Sequence, residues 1–306
     1  MTALPSAPAR VTVPAGFTIP RIATGLWQIA DMERGGEAVA IEPAAEAMLA
    51  YARSGFDAFD MADHYGSAEL ITGRFLKRAE EEGLKPFVST KWCPPPGPMT
   101  REVVRAGVGR SLERLGVDSV DLMQFHWWSF EHPDYLDALA EMEEMRREGI
   151  IRHLGLTNFD TDHLRLVVKN GVTIATNQVS FSLLDRRAAD AMSAFCLESG
   201  IRLLAYGTMG GGWLSERWLG KAEPGDASDW SKMKYRRFVD AIGGWDALQG
   251  ILSAASAIAK KHGVSLSNVA TRWVLDHPAV AAVIIGARLG EREHRADNLA
   301  AFSFHL

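Results

Sequence analysis

The sequence predicts an α/β protein of the (β/α)8 TIM-barrel class, with an N-terminal β-hairpin ahead of the barrel and a long loop after strand seven. Three observations predict it. Short β-rich runs alternate with helix-period segments along the 306 residues, an order that demands parallel pairing with the helices outside. There are eight such runs, which fits a barrel of about 250 residues plus insertions. Polar residues collect at the C-terminal ends of nearly all of them. A doubly wound open sheet would gather them at one switch point and would carry GxGxxG after its first strand, where this chain has none.

Taken in order, residues 10–21 read as a hairpin turning at Pro14, Ala15 and Gly16, placed to plug the barrel floor. Strands are expected at 22–28, 56–61, 86–92, 119–127, 151–158, 173–179, 201–207 and 280–287. Helix-period segments at 43–55, 68–83, 101–116, 134–149 and 188–200 lie between them, and several close on a glycine where a C-cap belongs. The segment 207–245 is rich in Gly and Trp, lacks steady periodicity and reads as a long loop on the active face. Two helical segments, 246–264 and 266–278, follow it.

Composition narrows the function. The chain is 47% hydrophobic and 23% charged with no linker-like tract, which supports a sizeable core in one large domain or two small ones; with the eight strand runs, residues 1–306 are expected to form a single barrel domain. A net charge of −5 supplies no basic footprint for nucleic acid. The first residues lack the apolar segment of a secretory signal and no run reaches the length of a membrane span, so the expectation is a soluble cytoplasmic protein without a membrane partner. Cys93 and Cys196 have neither CxxC nor Cys/His spacing; no metal site or disulfide is expected of them.

The strand ends carry Asp60, Lys91, His126, Thr157, Asn158, Asn177, Gln178, Tyr206 and Arg288. Singly, a lysine there is a solvated cation and a histidine a satisfied core residue. In a barrel, however, these ends converge on one cup. Tyr65, followed by Gly66, stands five residues after Asp60. A free tyrosine has a pKa of about 10, too high for easy proton exchange at neutral pH, and a nearby ammonium lowers it. The expected arrangement follows. Asp60 positions Lys91, Lys91 tunes Tyr65, and His126 orients the carbonyl oxygen that receives the proton.

The runs DMADHYG at 60–66, STK at 89–91, QFHW at 124–127, GLTNF at 155–159, NQV at 177–179, AYG at 205–207, IGAR at 285–288 and DNL at 297–299 resemble the aldo/keto reductase superfamily, in order and over nearly the whole chain. The resemblance implies NADPH bound in extended form without a Rossmann motif, and hydride transfer between nicotinamide C4 and a carbonyl carbon. It implies a small-molecule carbonyl or alcohol substrate and a tetrad of Asp60, Tyr65, Lys91 and His126, with Tyr65 as general acid. It also implies that Thr157, Asn158 and Gln178 hold the carboxamide and that Tyr206 stacks on the nicotinamide. Gly25, Leu26 and Trp27 would flank the ribose, with Asp60 shared between catalysis and cofactor. The backbone of Gly207, Thr208, Met209, Gly210 and Gly211 would approach the pyrophosphate where glycine carries no Cβ. Leu26 and Thr157 depart mildly from the family's commoner Thr and Ser.

At the adenosine end the resemblance points to Gly286, Arg288 and Arg292 for a 2′-phosphate, since guanidinium suits bidentate phosphate contacts, and to Asp297 and Asn298 for adenine. Solvated faces of the last helix are the competing reading of Arg292 and Arg295. NADPH is thereby favoured, with NADH left open. The expected substrate pocket comprises Trp27, Tyr65, Trp92, His126, Trp127, Trp128 and Trp213, aromatic walls that suit an apolar aldehyde or ketone and also stack on sugars. The 207–245 loop is expected to close as a lid and carry Trp213 toward the nicotinamide. Two alternatives stay open. One is a sugar or alcohol dehydrogenase running toward oxidation; the other is a cofactor-binding regulatory subunit resembling the channel-associated members of the superfamily.

Overall fold

In the computed structural model, which describes residues 4–29, 39–225, 230–291 and 294–306, eight parallel strands close into the predicted barrel. They are β3 (Ile22–Gly25), β4 (Ala58–Asp60), β5 (Phe87–Trp92), β6 (Val120–His126), β7 (Ile151–Thr157), β8 (Thr176–Ser180), β9 (Arg202–Tyr206) and β10 (Val280–Gly286), with β10 closing onto β3. Helices α1 (Ile41–Arg53), α2 (Ala68–Glu81), α3 (Arg101–Leu115), α4 (Tyr135–Arg147), α5 (Thr161–Lys169) and α6 (Ala191–Glu198) connect consecutive strands from β3 to β9. Between β9 and β10 come α7 (Trp230–Ala241), α8 (Gly244–His262) and α9 (Leu266–Leu275), and α10 (Arg295–Leu299) follows β10. None of the described helices is long and apolar enough to cross a membrane.

Local chemistry sets the helix ends. The Thr100 hydroxyl accepts the amide of Val103 at the start of α3, and Gly116 ends that helix in the left-handed conformation with φ 67°, which a side chain would resist. Asp160 and Ser265 cap α5 and α9 in the same way as Thr100.

The hairpin forms as predicted, from β1 (Arg10–Thr12) paired antiparallel with β2 (Thr18–Pro20). Its apolar residues Val13, Phe17 and Ile19 join a cluster with Ala58, Leu122, Leu204 and Ala281, near the starts of the barrel strands. Phe17 stacks on Phe87 with ring centroids 4.8 Å apart. The floor is thus sealed by packed side chains, and the site is left to the opposite end.

Three of the tryptophans expected in the pocket lie in the core instead. Trp92 and Trp127 are each 2% exposed, because each follows an inward-facing residue and strand side chains alternate faces. Trp92 lies against Gly107 of α3, where a Cβ would overlap its indole. Trp127 stacks near Phe125 and donates its indole N–H to the His132 carbonyl at 3.0 Å.

The segment 207–245 is more regular than its composition suggests, with 3-10 turns at Gly210–Gly212 and Glu216–Trp218 ahead of α7. Trp213 is fully buried, donates to the Lys232 carbonyl at 3.1 Å and packs against Trp218 and Trp245. The lid expectation fails for Trp213: the indole is a fixed hub whose burial anchors α7 and α8.

Two neighbouring glycines of α3 test the Trp92 packing. Ordinarily Gly→Ala within a helix stabilises by up to about 1 kcal/mol, and Gly109→Ala, with nothing within 4 Å of its Cβ, should do so. Gly107→Ala should instead destabilise by about 1–3 kcal/mol through overpacking. Urea denaturation of the two variants checks the opposite signs.

Candidate active site

The centre of the barrel mouth is an ion pair taken almost wholly out of water. Lys91 Nζ lies 2.6 Å from Asp60 Oδ2, with side chains 3% and 7% exposed. Burial of two charges is stable only when the remaining hydrogen-bonding capacity is filled. Lys91 also donates to the Met61 carbonyl at 2.9 Å. Asp60 Oδ1 accepts from Ser89 Oγ at 3.1 Å and from the side-chain amides of Gln124 and Gln178 at 2.8 Å each. The Gln178 amide further reaches Gln124 Oε1 at 3.0 Å. Gln178, expected on the carboxamide, therefore serves the carboxylate with its amide, while its Oε1 takes no part in this network.

Tyr65 stands over this pair, with Lys91 Nζ 5.4 Å from its ring centroid. The phenol is pushed well above its usual value by burial first and then by the Asp60 carboxylate. This corrects the expectation that Lys91 lowers it. Desolvation of the phenolate outweighs the ammonium, which is already matched to Asp60. Tyr65 accordingly holds its proton at neutral pH.

His126 is neutral: burial, followed by the Lys91 charge, lowers its pKa to about 3. Its Nδ1 lies 3.5 Å from Cys93 Sγ and its Nε2 3.4 Å from Asn158 Nδ2. Asn158 in turn accepts from the Tyr206 hydroxyl at 2.9 Å. Among the described residues Asn158 alone is a non-glycine with positive φ, 59°, a conformation asparagine tolerates better than most side chains. The turn it makes aims its amide between His126 and Tyr206.

The rim is aromatic and cationic. Trp27 meets Tyr65 edge-on at 4.9 Å, and the exposed Trp128 lies over His126 at 4.1 Å. These two tryptophans remain from the expected pocket. Lys234 of α7 reaches over Trp27 and Tyr206, 5.3 Å from the Tyr206 ring and 6.0 Å from that of Trp27. It was not among the expected site residues, since an irregular loop gives no sign of which side chains a helix within it will aim inward.

Arg114 was missed for a similar reason. From α3 it donates to the carbonyls of Asp63 and Gly66, on either side of Tyr65. Its guanidinium also lies 3.5 Å from the fully buried Glu69, which Thr90 bonds at 2.6 Å. The loop bearing Tyr65 is thus tied to α3 and β5.

The expected cofactor residues divide. Thr157 and Thr208 are buried with hydroxyls that find no protein partner, and a Cβ on Gly25 or Gly286 would overlap Ile284 or Gln28. Leu26 turns its side chain into the core and donates its backbone amide to the Asp60 carbonyl at 2.9 Å. Gly207 lies under the Tyr235 ring and Gly210 against Leu184, so their missing Cβ atoms serve packing rather than an approach to pyrophosphate. Gly211 is left-handed with φ 64° and Met209 packs on the core. Arg288 is exposed just beyond β10. Asp297 accepts from Asn268 at 3.1 Å, and Asn298 follows it on α10. Arg292 lies outside the described residues. Arg295 is not a solvated face: it donates to the Ala50 carbonyl and the Ser54 hydroxyl at the end of α1.

Known proteins share this architecture. The profile of the aldo/keto reductase family matches residues 21–306. The chain is 25% identical to the NADH-specific methylglyoxal reductase of Escherichia coli, over 95% of this chain and 92% of that one. It is 31% identical to flagellar radial spoke protein 5 of Chlamydomonas reinhardtii over 70% of its length, but spans only 49% of that protein. Among solved structures, the glycerol dehydrogenase of Gluconobacter oxydans superposes with a TM-score of 0.78 at 24% identity, covering 97% of this chain and 91% of that one.

The neutral buried imidazole makes stability pH-dependent. Unfolded, His126 takes a proton at about pH 6.5; folded, it does so only at about 3. Stability is therefore lost as pH falls through that window, by roughly 2 kcal/mol at pH 5 relative to neutral. His126→Gln should remove this share of the slope, read as the difference between urea midpoints at pH 5 and 7.5 for the two proteins.

Proposed function

The chain belongs to the aldo/keto reductase family, and from that premise we propose that it is an NADPH-dependent oxidoreductase reducing small aldehydes or ketones to alcohols. The observation that carries this reading is the desolvated Lys91–Asp60 pair beneath a protonated Tyr65 and a neutral His126. A bound nicotinamide supplies the hydride for the carbonyl carbon. Tyr65 gives its proton to the carbonyl oxygen and recovers one from solvent. His126, uncharged, orients that oxygen by hydrogen bonding without competing for the proton. Lys91 stabilises the transient phenolate, and Asp60 keeps Lys91 in place.

The cofactor residues fit a nicotinamide nucleotide. The unpaired hydroxyls of Thr157 and Thr208 are buried acceptors and donors in want of a ligand. Tyr206 and Trp27 supply aromatic faces, and Asn158 with Gln178 Oε1 suits a carboxamide. Arg288 is an exposed guanidinium suited to a 2′-phosphate. The substrate would sit between Trp27 and Trp128, a gap whose walls favour a compact, partly apolar carbonyl. The same Tyr65 hydroxyl serves oxidation in reverse, so the dehydrogenase reading is separated from this one by assaying turnover in both directions. A regulatory subunit would keep the nucleotide site and bind a partner protein, a reading that turnover separates from this one.

Loss of NADPH absorbance with a panel of small aldehydes tests the activity. Tyr65→Phe and Lys91→Met should each lower turnover by roughly 10² or more with cofactor affinity nearly unchanged; near-normal turnover by Tyr65→Phe would remove the general-acid role. Tight NADPH binding without turnover in either direction would favour the regulatory reading.

Arg288→Ala should weaken NADPH by about 1.5–3 kcal/mol and leave NADH nearly untouched. Titration of both nucleotides by fluorescence decides it. Equal losses, or a wild type that prefers NADH as its Escherichia coli relative does by name, would count against the phosphate role.

A further inference from the structure

We propose that Asp63, His64 and Cys93 form a reversible zinc-ion site beside Tyr65, through which the metal blocks proton transfer. No spacing in the sequence announces it, since Cys93 stands 29 residues from His64. The fold brings them together. A carboxylate oxygen of Asp63, a ring nitrogen of His64 and the Cys93 sulfur all lie within 4.8 Å of one another. Oxygen, nitrogen and sulfur from one carboxylate, one imidazole and one thiol are the donor set of borderline-soft Zn²⁺, and a poor one for Mg²⁺ or Ca²⁺.

The geometry needs little adjustment. Ligand atoms on a tetrahedral zinc lie roughly 3.3–3.8 Å apart. His64 Nδ1 is already 3.1 Å from Asp63 Oδ1, and Asp63 Oδ2 is steadied at 3.1 Å by the backbone amide of Cys93. The thiol must close the remaining gap of about 1 Å. His64 is exposed, which gives the ion an entry, whereas the other two are partly buried. Behind the thiol lies His126 Nδ1 at 3.5 Å, a fourth donor atom from a side chain 7% exposed. Burial and the neighbouring Asp63 hold the Cys93 thiol protonated in the metal-free protein. Binding therefore forms Zn–S, Zn–N and Zn–O bonds and releases the thiol proton to solvent, with no change of oxidation state.

Coordination would take the thiol from His126 and draw on the backbone of His64, whose ring meets Tyr65 edge-on at 4.9 Å. Both proton-handling side chains would be displaced or charged against their role. This blocking step rests on the catalytic reading of Tyr65 and His126; the binding step does not.

The test therefore reads binding first, in the absence of cofactor and substrate. Metal-free protein is titrated with Co²⁺, whose thiolate bond gives a near-ultraviolet charge-transfer band, and with Zn²⁺ against a chromophoric chelator. One ion per chain is expected, with the cobalt band absent in Cys93→Ser. Zinc affinity should fall roughly tenfold or more in both Cys93→Ser and His64→Ala. No binding at one equivalent, or binding undiminished in both variants, overturns the site. Turnover is then followed with added zinc and after EDTA, relative to each variant's own metal-free rate. Inhibition that tracks occupancy and reverses supports the blocking step, and full turnover at saturating zinc overturns it. A chain that turned over no carbonyl would leave the metal titration intact and so would fault the catalytic reading alone.

Discussion

The Lys91–Asp60 pair is the constraint around which this barrel is organised. Two opposite charges with side chains almost entirely excluded from water carry a desolvation penalty that their mutual attraction alone does not offset. The remainder comes from Ser89, Gln124, Gln178 and the Met61 carbonyl. The three side chains reside on different strands, β5, β6 and β8, and reach one carboxylate only because the barrel is closed and in register, with Asp60 opposite Ser89 and Lys91 opposite Gln124. Pair and barrel therefore depend on each other. A slip of one residue would turn these polar groups out of the barrel and leave a charge buried without its partner.

The same alternation sorts the aromatic residues. Lys91 and His126 face the barrel axis, so Trp92 and Trp127 beside them must face the helices, and α3 accommodates the first by presenting Gly107. The tryptophans left at the mouth, Trp27 and Trp128, lie two residues past the ends of β3 and β6, one step beyond the reach of the alternation that still turns Trp127 outward. Polar positioning extends outward from there. Arg114 of α3 holds the loop on both sides of Tyr65 and is matched by the buried Glu69 of α2, so Tyr65 is placed by an ion pair between two helices.

Electrostatics at the mouth favour one protonation pattern. Burial acts in opposite directions on the two proton-handling groups, raising Tyr65 and lowering His126, and in both cases it favours the neutral form. An uncharged phenol and an uncharged imidazole thus stand over one compensated ion pair. Lys234 from α7 adds a positive charge at the rim, which the segment 207–245 contributes from outside the barrel.

The order of strands and helices, the floor hairpin and the polar character of the strand ends were legible in the sequence because each rests on local chemistry. Alternating apolar runs, glycines at helix ends and polar residues at strand ends act over a few neighbouring positions. Which face a residue takes was less legible, and Trp92, Trp127 and Trp213 were misassigned as pocket walls. Their placement depends on what lies opposite, Gly107 for the first and Trp218 with Trp245 for the last. Tertiary structure alone decided the sign of the Tyr65 shift, the reach of Arg114 and Lys234, and the meeting of Asp63, His64 and Cys93. These are consequences of burial and of distances between side chains on different elements. A sequence determines both, but displays neither until the chain has closed on itself.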